Sequence, residues 1–310
     1  MEELRFPKEI LETPGDGKAR VRSFLYNERT AVIEDLLETR RCGGPLDRHL
    51  QILYDYLEGL FNRITEGEFV FQGFYGAGEG YYLPMHILNV LLLSSFIGIK
   101  AGLTASKMKE LGLACILCDA GLDSFRGIVN QPRKLSQEEN LVIRGHISAS
   151  LRIADKLGQV SPAVYEAVRT HHERADGSGY PKGLKSREIG LYANIIGLAD
   201  TFEAISHGRP YRAGCDAHSS IKLMMESLKD KFDYEVIKLL VNSLSIYPLG
   251  MDVILDTEEI ATVIESAAGS PLKPIVRIMR DIYGNPVQDR EIVDLSLPDA
   301  PCITGVKLSP

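Results

Sequence analysis

Several segments of the chain place histidine or aspartate among apolar residues that recur at helical spacing. His86 lies in a strongly apolar segment, and His146 shares a predicted helix face with Val142 and Ile153. Asp200 lies on a comparable face of a later segment. Burying a carboxylate costs free energy unless it is paired or binds a cation. Because imidazole and carboxylate groups suit iron, manganese or zinc, this pattern predicts a transition-metal site.

Asp119 and a pair of adjacent histidines extend this candidate set. Asp119 follows Cys118 near the end of an apolar helix predicted over LACILCDAG, where Gly121 is a stop signal. His171 and His172 end another predicted helix. A lone buried histidine is usually a hydrogen-bonded core residue, and Asp119 alone fits a helix-terminal turn equally well. The recurrence of such residues on successive helices favours a shared site.

The densest polar segment is HHERADGSGYPKGL, residues 171–184, in which the histidine pair leads into an acidic, glycine-rich loop. A plain helix–loop junction explains the glycines and the proline but not the two histidines. A second polar segment, GRPYR at residues 208–212, follows Asp200. Its Arg209 and Arg212 are suited to bidentate contacts with phosphate oxygens, and a solvated helix end is the alternative interpretation.

Composition limits the classes of function. The chain has 310 residues, which predicts about two domains at roughly 100–200 residues each. Hydrophobic residues make up 45% and charged residues 25%, which is the composition of an ordinary globular protein. The net charge of −7 argues against a partner that is a nucleic acid polymer. A local arginine cluster can still hold a small ligand that carries phosphate.

We expect a cytoplasmic protein without a membrane span. The first residues, MEELRFPKEI, lack the basic start and the apolar core of a secretory signal. The most apolar run includes Val90 to Ile99, and Lys100 interrupts it before about 20 residues accumulate, so it predicts a buried helix. The five cysteines are scattered and odd in number, which does not predict a disulfide framework. The single CxxC pair does not predict a structural zinc site.

Helix signals extend to about residue 244. An apolar stripe after Pro45 predicts the first clear helix, through Leu46, Leu50, Leu53, Leu57, Leu60 and Ile64. The glycine- and aromatic-rich stretch FVFQGFYGAGEGYY then predicts a boundary. Later helix starts are predicted at Pro84, at the capping box that opens with Ser136, at Ser161-Pro162 and at Asp233.

After residue 247 the pattern changes to that of β-strands. The runs MDVIL, IATVI, PIVRIM and EIVDL are rich in Val and Ile, and turn residues separate them. We therefore predict a mainly α protein, with an N-terminal helical or mixed region, a helical bundle and a small C-terminal β subdomain. The predicted boundaries are 1–72, 73–244 and 245–310.

Taken together, HHERADGSGYP, the Ala-Asp pair at residues 199–200 and RPYR at residues 209–212 resemble the HD-GYP family, a branch of the HD-domain metal phosphohydrolases. The resemblance covers roughly residues 80–245. It implies an all-helical HD-domain bundle that holds a cluster of transition-metal ions, usually iron. The activity that it implies is hydrolysis of cyclic di-GMP, a bacterial second messenger.

The resemblance also implies roles for single residues. The implied metal ligands are His86 and Asp200 for a first ion, His146, His171 and His172 for a second, and Asp119 as the catalytic aspartate that bridges both. Gly179 and Tyr180 belong to the GYP signature. Together with Arg209 and Arg212, they are the implied contacts to the nucleotide.

Three positions depart from the family pattern. Cys118 and Leu122 stand where the family has the His and the Lys of His-Asp-x-Gly-Lys. The first ion therefore loses a ligand unless the Cys118 thiolate replaces it, and a cation near the phosphate is missing. As a small buried hydrophobe, Cys118 would leave the site incomplete. Tyr82 stands where some members have a Glu that binds a third ion, which favours a binuclear site of iron or manganese.

Three functional hypotheses remain open from these residues. The first is a cyclic di-GMP phosphodiesterase that is weakened by the changes at Cys118 and Leu122. The second is an inactive receptor for the nucleotide, or an interaction protein with a protein partner or a second copy of itself. The third is a phosphohydrolase that acts on another nucleotide. Turnover of a cyclic dinucleotide with added iron or manganese separates the first hypothesis from the second.

Overall fold

The computed structural model describes residues 30–65, 82–207, 215, 217–244, 247, 250–265, 272–287 and 291–307. Within these residues a body of packed helices is followed by an antiparallel sheet. This arrangement confirms the predicted mainly α fold with a small C-terminal β unit. The stretch that was predicted as a boundary lies, apart from Tyr82, outside the described residues.

The helical body is built from segments of very different length, from four residues to eighteen. In chain order the helices are α1 (30–41), α2 (His49–Thr65), α3 (Leu83–Lys100), α4 (Ala105–Ala120), α5 (Arg126–Val129), α6 (Gln137–Ile143), α7 (His146–Leu157), α8 (Pro162–Thr170), α9 (Leu191–Ser206), α10 (Ala217–Leu223) and α11 (Tyr234–Ser243). Short 3₁₀ turns lie at Gly121–Phe125, Ser186–Glu188 and Lys229–Lys231, and a π turn lies at Met224–Leu228.

The helix starts that were predicted from local sequence are confirmed. At α6 the Ser136 side chain accepts a hydrogen bond from the Glu139 backbone N–H, and the Glu139 side chain accepts one from the Ser136 N–H. Ser161 caps α8 and Asp233 caps α11 through their side chains. Pro84 lies in the first turn of α3, where its missing N–H breaks no helical hydrogen bond.

Two helix ends differ from the prediction. α2 begins at His49 rather than at Pro45, because a turn closed by a 2.9 Å bond from the His49 N–H to the Leu46 carbonyl precedes it. Gly121 does follow the last residue of α4, but its φ of −67° is helical and the chain continues into a 3₁₀ turn. A Cβ at Gly121 would lie 2.2 Å from the carbonyl oxygen of His146. The glycine therefore allows α4 to end directly against the start of α7.

α3 lies at the centre of the helical body. It packs against α4, α9 and α11, and most of its residues are buried, including the polar side chains of His86 and Asn89. Among the described helices it is the one long and apolar enough to cross a membrane, and 78% of that stretch is buried inside the protein. A buried core helix and a membrane span pass this length and composition test alike.

The C-terminal sheet has five antiparallel strands in the described part of the chain, in the order β4-β3-β2-β1-β5. Four of them match the predicted runs, namely β1 (Asp252–Leu255), β2 (Ile260–Glu265), β3 (Ile275–Arg280) and β4 (Ile292–Asp294). The fifth strand, β5 (Ile303–Lys307), was not predicted. Buried and partly exposed residues alternate along β1, β2 and β3, so one face of the sheet packs inward.

The N-terminal helices belong to the same body. Apolar residues of α1 and α2 are part of the buried core cluster. α1 is also held by charge, because Arg40 Nη1 and Arg41 Nε both lie 3.4 Å from Oδ2 of Asp123, whose side chain is buried. Asp123 lies in the 3₁₀ turn directly after α4. α1 therefore contacts the segment that follows Asp119.

Candidate metal centre

Four of the predicted ligands, from three parts of the helical body, come together at one point. Asp119 lies in the last turn of α4, His146 is the first residue of α7, and His171 and His172 directly follow α8. One ligand atom of each lies within 4.8 Å of the ligand atoms of the others. We call these four residues the histidine group. Asp119, His146 and His171 are buried, and His172 is half-buried.

Backbone carbonyls fix the orientation of two imidazole rings in the histidine group. His146 Nδ1 lies 2.7 Å from the carbonyl oxygen of Ile143, and His171 Nδ1 lies 2.9 Å from that of Val168. Because a carbonyl oxygen only accepts hydrogen bonds, each Nδ1 carries a proton, and Nε2 of the neutral ring keeps its lone pair. The Nε2 atoms of His146 and His171 are 3.5 Å apart. His172 Nε2 lies 3.2 Å from His146 Nε2.

The convergence of these nitrogens fits a bound cation. Lone pairs that face one another at such distances repel, unless a proton or a metal ion lies between them. A metal ion accepts several nitrogen lone pairs at once, and the proton on the other ring nitrogen is the usual second contact of a metal-binding histidine. Imidazole and carboxylate oxygen together suit a divalent transition metal.

A second set of three predicted ligands lies beside the first. Its members are His86, Asp119 and Asp200, and we call it the carboxylate group. His86 Nε2 lies 3.2 Å from Oδ2 of Asp119 and 3.4 Å from Oδ1 of Asp200. Asp119 belongs to both groups, since its Oδ1 lies 3.8 Å from His146 Nε2. Asp119 is therefore placed to contact a cation in either group.

The electrostatics favour the protonation states that bind metals. Burial by itself raises the pKa of Asp119, but the hydrogen bond with His86 and the surrounding imidazoles outweigh burial and hold this pKa well below its ordinary value. Burial lowers the pKa of His171 to about 4 and holds the pKa of His172 well below its ordinary value. At neutral pH the carboxylate is thus ionised and these two imidazoles are neutral.

Cys118 is brought into neither group. Its Sγ is fully buried and lies 4.0 Å from the carbonyl oxygen of Ala167 in α8. Burial, followed by the charge of Asp119, raises the pKa of the thiol well above its ordinary value. The short Cys118 side chain lies against α8, whereas Asp119 faces the other predicted ligands. Leu122, the other departure, is half-buried against the core.

Close packing between α4 and α7 brings Asp119 to His146. The Ser150 hydroxyl donates a hydrogen bond to the carbonyl oxygen of Cys118 and accepts one from the Gly121 N–H, both at 2.9 Å. All these atoms are buried. Together with the absence of a side chain at Gly121, these bonds hold the end of α4 against the first turns of α7.

The loop after the histidine pair is held by a buried glutamate. Glu173 accepts hydrogen bonds from the backbone N–H groups of Lys182, at 2.6 Å, and Leu184, at 2.9 Å. Gly179 lies against the same segment, because a Cβ there would be 2.4 Å from the Glu173 Cα and the Arg174 nitrogen. The loop is thereby folded tightly back onto the residues that follow His172.

This loop places an aromatic ring beside the histidine group. The Tyr180 ring stacks on the His172 ring, with centroids 4.7 Å apart and planes inclined by 26°. The guanidinium carbon of Arg144 lies 4.4 Å from the centre of the Tyr180 ring. Arg144 is exposed, and no carboxylate of the described residues forms an ion pair with it. It therefore offers a positive charge at the edge of the site.

Two of the predicted nucleotide contacts, Arg209 and Arg212, lie outside the described residues. Conversely, the structure shows three polar residues near the site that were not singled out from the sequence: Arg144, Glu173 and Glu203. Glu173 stands inside the HHE segment, so the motif itself contained the signal. Arg144 lies in the turn between α6 and α7 and Glu203 lies in α9, and nothing in the sequence separates either from solvated residues.

The chain matches two family models. The family model described as HD domain matches residues 83–236, which contain every ligand of both groups. The model described as KOW domain associated with HD domain matches residues 253–302, which lie within the C-terminal sheet region.

The chain is also similar in sequence to individual curated proteins. Over 282 residues the chain is 33% identical to "Cyclic di-GMP phosphodiesterase PA4108" of Pseudomonas aeruginosa, which covers 90% of this chain and 67% of the relative. Over 169 residues it is 32% identical to "3'3'-cGAMP-specific phosphodiesterase 1" of Vibrio cholerae, which covers 54% of this chain and 39% of that protein.

The fold is also found in a solved structure. The structure of Bd1817, a protein of Bdellovibrio bacteriovorus, superposes with a TM-score of 0.57 at 16% identity and covers 74% of each chain. At this identity the likeness concerns the fold alone. The matched HD-domain model and the extended similarity to PA4108 confirm the resemblance seen in the sequence motifs, and the chain belongs to the HD-GYP family of HD-domain proteins.

Proposed function

We propose that this protein is a metal-dependent phosphodiesterase that hydrolyses cyclic di-GMP at a centre of two transition-metal ions. The observation that carries the proposal is the position of Asp119, whose two oxygens face His86 and His146, one in each ligand group. The names of the relatives from Pseudomonas and Vibrio, which act on cyclic di-GMP and 3'3'-cGAMP, support a cyclic dinucleotide as the substrate class.

In this proposal each ligand group holds one ion. The histidine group would hold one through His146, His171 and His172, the carboxylate group would hold the other through His86 and Asp200, and Asp119 would contact both. Iron or manganese fits this nitrogen and oxygen donor set. When bound, such a pair of ions lowers the pKa of a shared water and offsets the charge of a phosphodiester under attack.

Tyr180 and Arg144 are the described residues best placed to hold the nucleotide. Burial, followed by the charges of Asp119 and Asp200, raises the pKa of Tyr180, so its phenol stays protonated and can donate to a phosphate oxygen. The exposed guanidinium of Arg144 suits a charge-assisted bond to phosphate.

We propose that hydrolysis by this chain is slow. Leu122 supplies no cation where the family has a lysine, and losing one electrostatic contact of this kind typically costs about 10²–10³ in rate. Without Cys118, the carboxylate group has three protein ligands in the part of the chain that the structure describes. Three ligands with an open position are still compatible with a catalytic metal site.

A receptor that binds the nucleotide without turning it over is the second candidate. The observation that favours it is the pair of departures next to Asp119: Cys118 packs against α8, and Leu122 packs against the core. Tyr180 and Arg144 would still offer a surface to the nucleotide.

The test uses protein purified without oxygen or chelator. Iron and manganese are quantified, and cyclic di-GMP and 3'3'-cGAMP are incubated separately with the protein and followed by chromatography. We expect close to two ions per chain and slow loss of cyclic di-GMP, with both reduced in His171→Ala. Tight binding without turnover would favour the receptor. A folded wild type that binds no metal would contradict both the metal centre and the phosphodiesterase.

A further inference from the structure

A buried carboxylate lies directly behind one of the proposed metal ligands. Glu203 Oε2 is 2.6 Å from His86 Nδ1, and the two side chains are 0% and 4% exposed. Asn89 Nδ2 donates a hydrogen bond of 3.3 Å to the other carboxylate oxygen, Oε1. Glu203 lies in α9 and both of its partners lie in α3, so the contact joins these two helices one turn beyond Asp200.

The contact determines which nitrogen of His86 is available to a ligand. Because an ionised carboxylate only accepts hydrogen bonds, His86 Nδ1 carries a proton. The other nitrogen, Nε2, then faces Asp119 and Asp200 at 3.2 and 3.4 Å. A lone pair that faces two carboxylates at these distances requires a cation or a second proton between them.

We infer that Glu203 is a positioning residue for the metal ion bound by the carboxylate group. It holds His86 with Nε2 directed at that ion, and it adds a buried negative charge behind the imidazole. This inference rests on the metal centre of the proposed function.

The added charge has a specific consequence in this chain. Among the described residues the carboxylate group has three protein ligands, because Cys118 faces α8. A carboxylate that accepts the Nδ1 proton makes the imidazole a stronger donor, and removing such a partner typically costs about 10–100-fold in metal affinity. Glu203 thus strengthens the ligand on which a site with few ligands depends most.

Two substitutions separate the hydrogen bond from the charge. Glu203→Gln keeps the side-chain volume and an oxygen that accepts from His86 Nδ1, but removes the charge. Glu203→Met removes both at similar volume. The carboxylate group has fewer ligands than the histidine group, so we expect it to be the weaker Mn²⁺ site. Its affinity should fall about tenfold in Glu203→Gln and about a hundredfold in Glu203→Met. The stronger site should keep its affinity in both variants. Calorimetric titration of metal-free protein with Mn²⁺ measures the two sites separately.

A matched control identifies a purely structural effect. Glu110 in α4 also accepts a hydrogen bond from α9, through the Tyr192 hydroxyl at 2.9 Å, and is not among the ligands of either group. Glu110→Gln should bind two Mn²⁺ ions with wild-type affinity. The melting temperature of each metal-free variant shows how far its fold is weakened. If Glu203→Gln does not fold, Asn89→Ala, which removes one hydrogen bond to Glu203 Oε1, should lower the same affinity severalfold.

The outcomes distinguish this inference from the proposed function. A selective loss at one Mn²⁺ site in Glu203→Gln, absent in Glu110→Gln, supports the inference. Two sites of unchanged affinity in a folded Glu203→Gln would overturn it and leave the metal centre intact. A wild type that binds no Mn²⁺ would overturn the metal centre itself. Equal losses at both sites in Glu203→Gln and Glu110→Gln would assign Glu203 a structural role only and overturn the inference.

Discussion

The two carboxylate oxygens of Asp119 face different histidines. Oδ2 lies 3.2 Å from Nε2 of His86, and Oδ1 lies 3.8 Å from Nε2 of His146. His86 comes from α3 and His146 from α7, so one side chain at the end of α4 joins ligands from both neighbouring helices. Substitution at Asp119 should therefore affect both ligand groups at once.

Asp119→Asn tests this double role. Asparagine keeps the volume but removes the charge and one of the two acceptor oxygens, so we expect bound metal to fall from two ions to at most one. Hydrolysis of cyclic di-GMP should fall at least about 10²-fold, because the two ions act as a unit. Asp155→Asn is the control. Asp155 accepts a hydrogen bond of 2.9 Å from the Tyr165 hydroxyl and belongs to neither ligand group. Full metal content in Asp119→Asn would contradict the bridging position.

Gly179→Ala tests the packing of the loop that carries Tyr180. The added Cβ would lie 2.4 Å from backbone atoms of Glu173 and Arg174, which cannot move aside as a flexible side chain can. We expect a loss of at least about 1–3 kcal/mol in the free energy of unfolding, measured with urea. Weaker binding of cyclic di-GMP should accompany it.

Gly190→Ala is the matched control for that substitution. Gly190 has a φ of −64°, and a Cβ there would meet nothing within 4 Å. Its urea midpoint should stay close to that of the wild type. If both alanine variants unfold at the wild-type urea midpoint, the close packing around Gly179 does not contribute to the free energy of unfolding.

The buried cysteines should resist thiol reagents in the folded protein. Burial raises the pKa of Cys115 to about 12 and holds that of Cys118 well above its ordinary value, so neither forms the reactive thiolate at pH 8. Cys42 and Cys302 are exposed and should be labelled by iodoacetamide within minutes. Mass spectrometry after digestion reads out each site. Fast labelling of Cys118 in the native protein would contradict its position against α8.

The raised pKa of the buried Cys115 thiol makes the stability of the protein depend on pH. In the unfolded chain a thiol titrates near pH 8.5, whereas in the folded protein Cys115 keeps its proton to a pH of about 12. Above pH 8.5 the unfolded state therefore binds fewer protons than the folded state, and the free energy of unfolding should decrease as pH rises. Cys115→Ala should reduce this slope between pH 8.5 and 10, compared at equal ionic strength.

Restoring the family residues next to Asp119 tests the two departures. We expect wild-type turnover below about 1 s⁻¹, and we expect Cys118→His with Leu122→Lys to raise both metal content and turnover. The larger histidine also overpacks a buried position beside Ala167, at a cost of about 1–3 kcal/mol. Leu122→Lys alone, at a half-buried position, avoids that cost and tests the missing cation by itself.

Two results would count against this interpretation. Wild-type turnover on the order of 1 s⁻¹ or faster would mean that neither the missing His nor the missing Lys limits this chain. A double variant that gains metal but no turnover would favour the receptor.

Local signals in the sequence were sufficient to predict most elements. The caps at Ser136, Ser161 and Asp233 act within a few residues of themselves, so they can be read without knowing the fold. β5 was missed because the run ITGVK is interrupted by Gly305 and resembles a loop end. Its place at the sheet edge depends on pairing with β1, some 50 residues earlier in the chain.

The candidate site shows where sequence interpretation stops. Residue types and spacing identified the predicted ligands, but the shared position of Asp119 between two groups depends on how α4 packs against α3 and α7. Cys118 was open to two interpretations, because the direction of its thiol is set by that packing. Glu203 could not be distinguished from a solvated glutamate, since its partner His86 is 117 residues away.

The contact of Arg40 and Arg41 with Asp123 bears on how this chain can be divided. A fragment that starts at residue 73, the predicted boundary, would retain His86 and Asp119 but would lose the two cations that contact the Asp123 carboxylate. It would also uncover apolar core that α1 and α2 now shield. α1 thus stabilises the turn that follows α4, and displacement of α1 would loosen the helix end that carries Asp119.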